Sequence, residues 1–136
     1  MGRLGERRFS TATPWLPVNP NSEMVNAAAE IDDPDSVFSH YRALIALRHN
    51  EPTVAYGDFT MLLPDHDTIY AFTRAHEGTR LLVLANFSSE PAGFSNVSGA
   101  GLEEWKDAEL ILRNYPAVDG VLVPLRAWEV RVLRSS

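Results

Sequence analysis

The hydrophobic period of this sequence changes at Pro52, and no other feature constrains the fold as strongly. Before Pro52, apolar residues recur at spacings of three and four, which is typical of an amphipathic helix. After it, short runs rich in β-branched and aromatic residues alternate with turn signals, which is typical of strands. We therefore predict one helix over about residues 34–49, followed by a β domain over 51–136.

The predicted helix has both a start and a stop signal. Asp33 is a good N-cap and Pro34 suits the first helical position. Pro52 disfavours helical geometry at the residue before it, so the helix should end near residue 50. The apolar stripe of this helix consists of Phe38, Tyr41, Leu44 and Ile45.

The sequence after Pro52 divides into about seven short strands joined by turns, which predicts an antiparallel β-sandwich. The predicted strands cover residues 54–63, 69–74, 81–87, 91–97, 109–114, 120–125 and a last strand from residue 128, and Glu77-Gly78 is the predicted turn between the second and the third. The run 81–87 is apolar on both faces, so we expect it to be a central strand. In the last strand Trp128 alternates with polar Glu129 and Arg131, which predicts Trp128 in the core and the charged pair in solvent.

Composition excludes several functional classes. The 136 residues include 12 basic and 18 acidic ones, giving a net charge of −6, which opposes broad contact with a nucleic acid backbone. There is no cysteine, so disulfides and thiolate metal sites are excluded. The longest apolar run, 81–85, is too short to cross a bilayer. Residues 1–8 lack the apolar stretch of a secretory signal, and we expect a cytoplasmic protein.

The segment Pro14-Trp15-Leu16-Pro17-Val18-Asn19-Pro20-Asn21 carries three prolines and cannot be regular structure. Together with 9–13 before it, this segment resembles the stretch of oligo-1,6-glucosidase-type α-glucosidases, of the α-amylase superfamily, that leads from the last active-site loop into the last barrel helix. Residues 33–36 and 44–48 resemble that helix, and 67–72, 81–87 and 127–130 resemble strands of the family's C-terminal domain.

This resemblance implies a mainly β fold: an antiparallel β-sandwich, preceded by one α-helix left from the end of a (β/α)8 barrel. It divides the chain into residues 1–50, the extended segment and barrel helix, and 51–136, the C-terminal domain. The family's catalytic carboxylates come with strand motifs that do not occur here, so the resemblance implies that they precede Met1. We therefore expect a non-catalytic supporting domain of an enzyme acting on α-glucosidic oligosaccharides, inactive alone. Its expected partner is the missing catalytic barrel, either on the same full-length chain or on a separate polypeptide.

Local residue clusters give no alternative catalytic, metal or cofactor site. Retaining glycoside hydrolysis needs two carboxyl groups roughly 5 Å apart. Asp65 and Asp67 flank His66, but this is better interpreted as a turn in which short acidic side chains bond their own backbone. The four histidines lack ligand spacing, and neither a Gly-x-Ser-x-Gly elbow nor a phosphate-binding glycine loop is present. We expect no catalytic residue, no metal and no cofactor.

Two other hypotheses remain. The chain could be a free-standing carbohydrate-binding or protein-interaction β-sandwich, which requires an exposed aromatic platform. Trp105, which lies between acidic residues in a predicted loop, is the candidate for such a platform, with Tyr115 as a second choice. The isolated chain could also self-associate, since the helix stripe would otherwise face barrel neighbours that are absent. Trp15 is expected to anchor the proline-rich segment.

Overall fold

The computed structural model describes residues 15–17, 19–94, 101–116 and 119–136. The chain divides into two compact units, Met1–Arg42 and Ala43–Ser136.

The helix predicted over 34–49 begins three residues late. Helix α1 covers Ala27–Glu30 and helix α2 covers Val37–Asn50. Asp33 does not cap α2, because its carboxylate instead accepts a hydrogen bond from the N–H of Asp35 at 2.9 Å and closes a turn. Ser36 is the cap, since its hydroxyl oxygen accepts from the N–H of Ser39 at 3.1 Å.

The predicted strand over 54–63 is wrong in its first half. Residues Pro52–Tyr56 form a third helix, α3. The carboxylate of Glu51 caps it by accepting from the N–H of Thr53 at 3.1 Å, and Pro52 occupies the first turn, where its missing N–H does no harm. A helix start was therefore encoded at the point that we interpreted only as a helix end.

Within the described residues five antiparallel strands follow: β1 (Asp58–Met61), β2 (Ile69–His76), β3 (Thr79–Asn86), β4 (Glu109–Arg113) and β5 (Val130–Ser135). Their order in the sheet is β1-β2-β3-β5-β4, so β3 is central as predicted. Strands β2 and β3 form a hairpin in which His76 pairs with Thr79 across a two-residue turn. Both turn residues, Glu77 and Gly78, have positive φ (47° and 87°), as a type I′ turn requires.

One face of the sheet carries the core, and irregular segments form the layer that covers it. The short 3-10 helix Leu102–Trp105 and the segments around 92–94 and 121–125 make this second layer. The predicted strands 91–97 and 120–125 are reduced to one bridge between Ala92 and Leu125, and residues 95–97 lie outside the described residues. The buried core residues are Leu63, Ile69, Ala71, Leu82, Leu84, Leu102, Trp105, Leu125 and Leu133. The predicted class, a mainly β antiparallel fold, is confirmed.

None of the helices in the described ranges is long and apolar enough to cross a membrane.

Candidate interaction surfaces

The cluster around His66 is a turn, and its imidazole organises it. Nδ1 of His66 accepts hydrogen bonds from the N–H groups of Thr68 (3.2 Å) and Ile69 (3.0 Å). Asp65 and Asp67 are exposed beside it. The interpretation as a turn therefore agrees with the structure, but the acceptor is the histidine and not the carboxylates.

Trp105 does not provide an exposed platform. Its side chain is 1% exposed and belongs to the core, and the guanidinium of Arg80 lies over its ring at 4.8 Å from the centroid. Arg80 also donates to Glu104 at 3.0 Å. Because Leu102 and Trp105 are three residues apart in a 3-10 helix, both apolar side chains lie on one side of it. We had interpreted the charged neighbours of Trp105 as a sign that its ring is exposed. In the structure these neighbours are exposed, but the ring is buried.

Trp128 shows the opposite error. We predicted a core residue, yet Trp128 is 58% exposed and its backbone has φ = 56°. Strand β5 begins only at Val130, so the alternation that placed Trp128 in the core does not reach it. A left-handed backbone is a true outlier for a bulky residue.

Glu129 and Arg131, at the start of the last strand, are buried, contrary to prediction. Arg131 is 1% exposed and Glu129 is 2% exposed. Arg131 donates from Nε to Oε1 of Glu129 at 2.8 Å, and its two terminal nitrogens donate to the carbonyls of Val121, Val123 and Pro124. The charge is thus satisfied by an ion pair and by the backbone of the covering layer.

Glu129 is ionised in this site. Burial alone raises the pKa of its carboxyl group, but the hydrogen bonds from Arg131 and from the N–H of Arg126, and the positive charges of both residues, outweigh burial. The pKa of Glu129 therefore lies below its ordinary value of 4.5. A carboxylate held by an arginine in this way is structural, since no second carboxyl faces it among its hydrogen-bond partners.

The second face of the sheet carries a row of aromatic side chains, which we call the aromatic row. Tyr70 and Phe72 are two residues apart on β2 and therefore share this face. Their ring centroids are 5.3 Å apart. The centroid of Phe59 on β1 lies 5.1 Å from that of Phe72, and the centroid of Phe87 lies 6.4 Å from that of Tyr70. Three of these rings are well exposed: Tyr70 by 41%, Phe59 by 50% and Phe87 by 66%.

Helix α3 contacts this face beyond the row. Arg74 on β2 donates to the carbonyls of Thr53 (3.2 Å) and Gly57 (2.7 Å), which fixes α3 to the strand. Leu81 on the same face is 1% exposed. The face is therefore closed at one end and open along the aromatic row.

Helix α2 exposes its apolar stripe. The exposed fractions are 40% for Phe38, 63% for Tyr41, 39% for Leu44 and 57% for Ile45. Trp15, expected to be an anchor, is 90% exposed. Two apolar surfaces, the helix stripe and the aromatic row, are thus left uncovered on a small chain that has a good core of its own.

A compact β domain with large uncovered apolar surfaces is the hallmark of one part of a larger assembly. Comparison with known proteins agrees with this class. Residues 59–131 match the family described as Maltogenic Amylase, C-terminal domain, and residues 5–57 match Alpha amylase, catalytic domain. The chain belongs to the maltogenic amylase C-terminal domain family, and it carries before that domain a segment of the α-amylase catalytic domain.

The curated relatives are longer glycosidases. The chain is 36% identical over 129 residues to the oligo-1,6-glucosidase of Parageobacillus thermoglucosidasius, covering 93% of this chain and 22% of that protein. It is 37% identical over 127 residues to the trehalose-6-phosphate hydrolase of Bacillus subtilis, with the same coverage. Among solved structures, trehalose-6-phosphate hydrolase of Bacillus licheniformis matches with a TM-score of 0.78 and 28% identity, over 91% of this chain and 22% of that one. The chain thus spans about 22% of the length of these relatives. The resemblance stated from the sequence is confirmed.

Proposed function

We propose that this chain is the C-terminal, non-catalytic portion of an α-glucosidase-type glycoside hydrolase that acts on α-glucosidic oligosaccharides, and that its partner is the catalytic barrel of that enzyme. The observation that carries the proposal is the pair of uncovered apolar surfaces in a chain whose two halves match the end of a catalytic domain and the domain that follows it. The names of the relatives support the substrate class.

The energetics support a missing neighbour. Burying one large apolar side chain stabilises a protein by about 1.5–3 kcal/mol. Because these side chains are already about half buried, the four residues of the helix stripe represent about 3–6 kcal/mol of unused stabilisation, which approaches the whole stability of a small domain, about 5–15 kcal/mol. Proteins that fold alone seldom leave this much apolar surface uncovered.

The division of the chain follows from the same proposal. We assign residues 1–50, with helix α2, to the end of the barrel, and residues 51–136 to the C-terminal domain. The change of family match between residues 57 and 59 supports a boundary close to helix α3. A cytoplasmic location stays a prediction.

The activity of the chain is tested first by itself and then in a chimera. The purified chain incubated with a chromogenic α-glucoside should release no more product than buffer. The chimera joins the Parageobacillus oligo-1,6-glucosidase, truncated before its matching segment, to this chain; it should hydrolyse the same substrate. Turnover by the isolated chain, or an inactive but folded chimera, would contradict the proposal.

The aromatic row is tested in the same chimera. Phe59→Asp places a charge in the exposed row, and it should lower the melting temperature of the chimera far more than that of the isolated chain, because only the chimera buries the row. Tyr56→Asp is the matched control, since Tyr56 is 75% exposed and lies outside the row. If Phe59→Asp lowers the melting temperatures of the chimera and of the isolated chain equally, the barrel does not cover this face.

In the absence of the barrel, the stripe of helix α2 gives the isolated chain a second partner. We propose that two copies associate through Phe38, Tyr41, Leu44 and Ile45, because these side chains are exposed on one helix and pairing would remove them from water.

A further inference from the structure

We infer that Trp128 is a binding platform for an α-linked glucose residue, on the surface of the C-terminal domain. The inference rests on the proposed function for its ligand class, and on the local structure of Trp128 for its position. The sequence had pointed to Trp105 for this role, and the burial of Trp105 leaves the role open.

The backbone of Trp128 is strained while its indole faces solvent. A positive φ of 56° costs a bulky residue of the order of 1–2 kcal/mol, which a glycine would not incur. An exposed indole returns only part of the stabilisation that a buried one would give. Folding alone therefore gives no reason for tryptophan here, and strained residues of this kind are concentrated at ligand sites.

Hydrogen bonds hold this strained residue on both sides. The N–H of Trp128 donates to the carbonyl of Ser88 at 3.1 Å, and its carbonyl accepts from the side chain of Asn114 at 2.7 Å. The other end of the Asn114 amide accepts from the N–H of Val130 at 2.8 Å, and the hydroxyl of Tyr115 donates to the carbonyl of Ala127 at 3.0 Å. The backbone that carries the indole is thus held in place before any ligand arrives.

The turn that carries Trp128 is anchored in the buried charge network. The N–H of Arg126 donates to Glu129 at 2.7 Å, and the carbonyl of Arg126 accepts from the side chain of Asn86 at 2.9 Å. Glu129 is itself held by the buried Arg131. Residues 126–129 therefore form a rigid turn, and rigid supports make a surface site selective at low entropic cost.

The neighbourhood combines an aromatic face with polar groups, as sugar sites do. Arg126 lies over the ring of Tyr115 at 5.2 Å from its centroid, beside the same turn. An indole face packs well against the C–H face of a pyranose, while the guanidinium of Arg126 and the unused hydrogen-bonding positions of the Asn114 amide and the Tyr115 hydroxyl can bind its hydroxyls. The aromatic row, whose four members carry only the hydroxyl of Tyr70 as a polar group, fits a protein neighbour instead.

The test is to titrate the whole 136-residue chain separately with maltotriose and with isomaltotriose. Binding is measured by calorimetry and by the shifts of the indole N–H resonances in NMR. We expect saturable binding in which the resonance of Trp128 shifts and that of buried Trp105 does not. Trp128→Gly removes the ring and relieves the positive φ, so it should keep the fold and its melting temperature while weakening binding about tenfold or more. Trp15→Ala is the control, because Trp15 is more exposed than Trp128 and lies in the other unit.

Absence of saturable binding to either sugar would overturn the inference, and so would binding that Trp128→Gly leaves unchanged or that Trp15→Ala weakens equally. If Trp128→Gly instead lowers the melting temperature of the barrel chimera and sugar binding is absent, Trp128 is a contact to the barrel and not a sugar platform. An active chimera without sugar binding removes this inference alone and leaves the supporting-domain proposal intact.

Discussion

Arg131 shows how a single residue can reverse a strand pattern. Alternation in the predicted last strand placed Arg131 and Glu129 in solvent, yet both are almost fully buried. The reason is that Arg131 finds four acceptors: the Glu129 carboxylate and three carbonyls of residues 121–124. Those carbonyls belong to a segment that folds over the sheet, so local sequence holds no sign of them.

This ion pair predicts how stability depends on pH. The pKa of Glu129 is lowered on folding, so its contribution is complete above the ordinary value of 4.5 and is lost as pH falls through the folded pKa. Glu129→Gln should cost about 3 kcal/mol at neutral pH, because it leaves the buried Arg131 without its counter-charge. Below about pH 4.5 the wild type should lose stability faster than this variant, so the two should converge.

Urea unfolding between about pH 7 and about pH 3 measures this difference. Glu103→Gln is the matched control, since it makes the same substitution at an exposed position and should leave the free energy of unfolding at neutral pH nearly unchanged. If the free energies of unfolding of the wild type and Glu129→Gln differ by the same amount over the whole pH range, a group other than Glu129 causes the loss of stability in acid.

At the scale of elements, the residue types at turns and helix caps determine where each strand and helix of this chain begins and ends. The β2–β3 hairpin was predicted because Glu77-Gly78 is a turn signal between two apolar runs, and pairing of His76 with Thr79 confirms it. The start of α2 was placed wrongly because Asp33 and Ser36 are both good caps, and only tertiary context selects between them. The helix α3 was missed because a proline can end one helix and begin the next.

The hairpin turn gives a prediction at this scale. A methyl group added at Gly78 meets no atom within 4 Å, so Gly78→Ala should cost only the backbone penalty of a positive φ, about 1 kcal/mol. Glu77→Asn should instead raise the free energy of unfolding by about 0.5 kcal/mol, since asparagine suits the first central position of a type I′ turn. Thermal unfolding of both variants should show opposite shifts, and a loss of stability in Glu77→Asn would contradict this assignment of the turn.

At the scale of the whole molecule, the uncovered stripe of α2 predicts self-association of the isolated chain. Analytical ultracentrifugation should show a concentration-dependent dimer. Tyr41→Glu combined with Ile45→Glu should shift it to monomer, because charges on the stripe cannot be buried in a symmetric contact. Ala43→Glu combined with Ala46→Glu adds the same charge to exposed positions off the stripe and should leave the dimer unchanged. A monomeric wild type at all concentrations would rule out this contact.

The sequence by itself determined the class of fold, the central strand, the hairpin and the family, because these depend on periodicity, turn residues and a distinctive proline-rich segment, all of which are local. Only the tertiary structure decided which side of each element is buried. The structure buries Trp105 and exposes Trp128, which is the reverse of the prediction. It also buries Glu129 and Arg131, which were predicted to lie in solvent. Burial depends on what covers an element, and here the covering layer consists of irregular segments whose placement follows from long-range packing and hydrogen bonds rather than from any repeat in the chain.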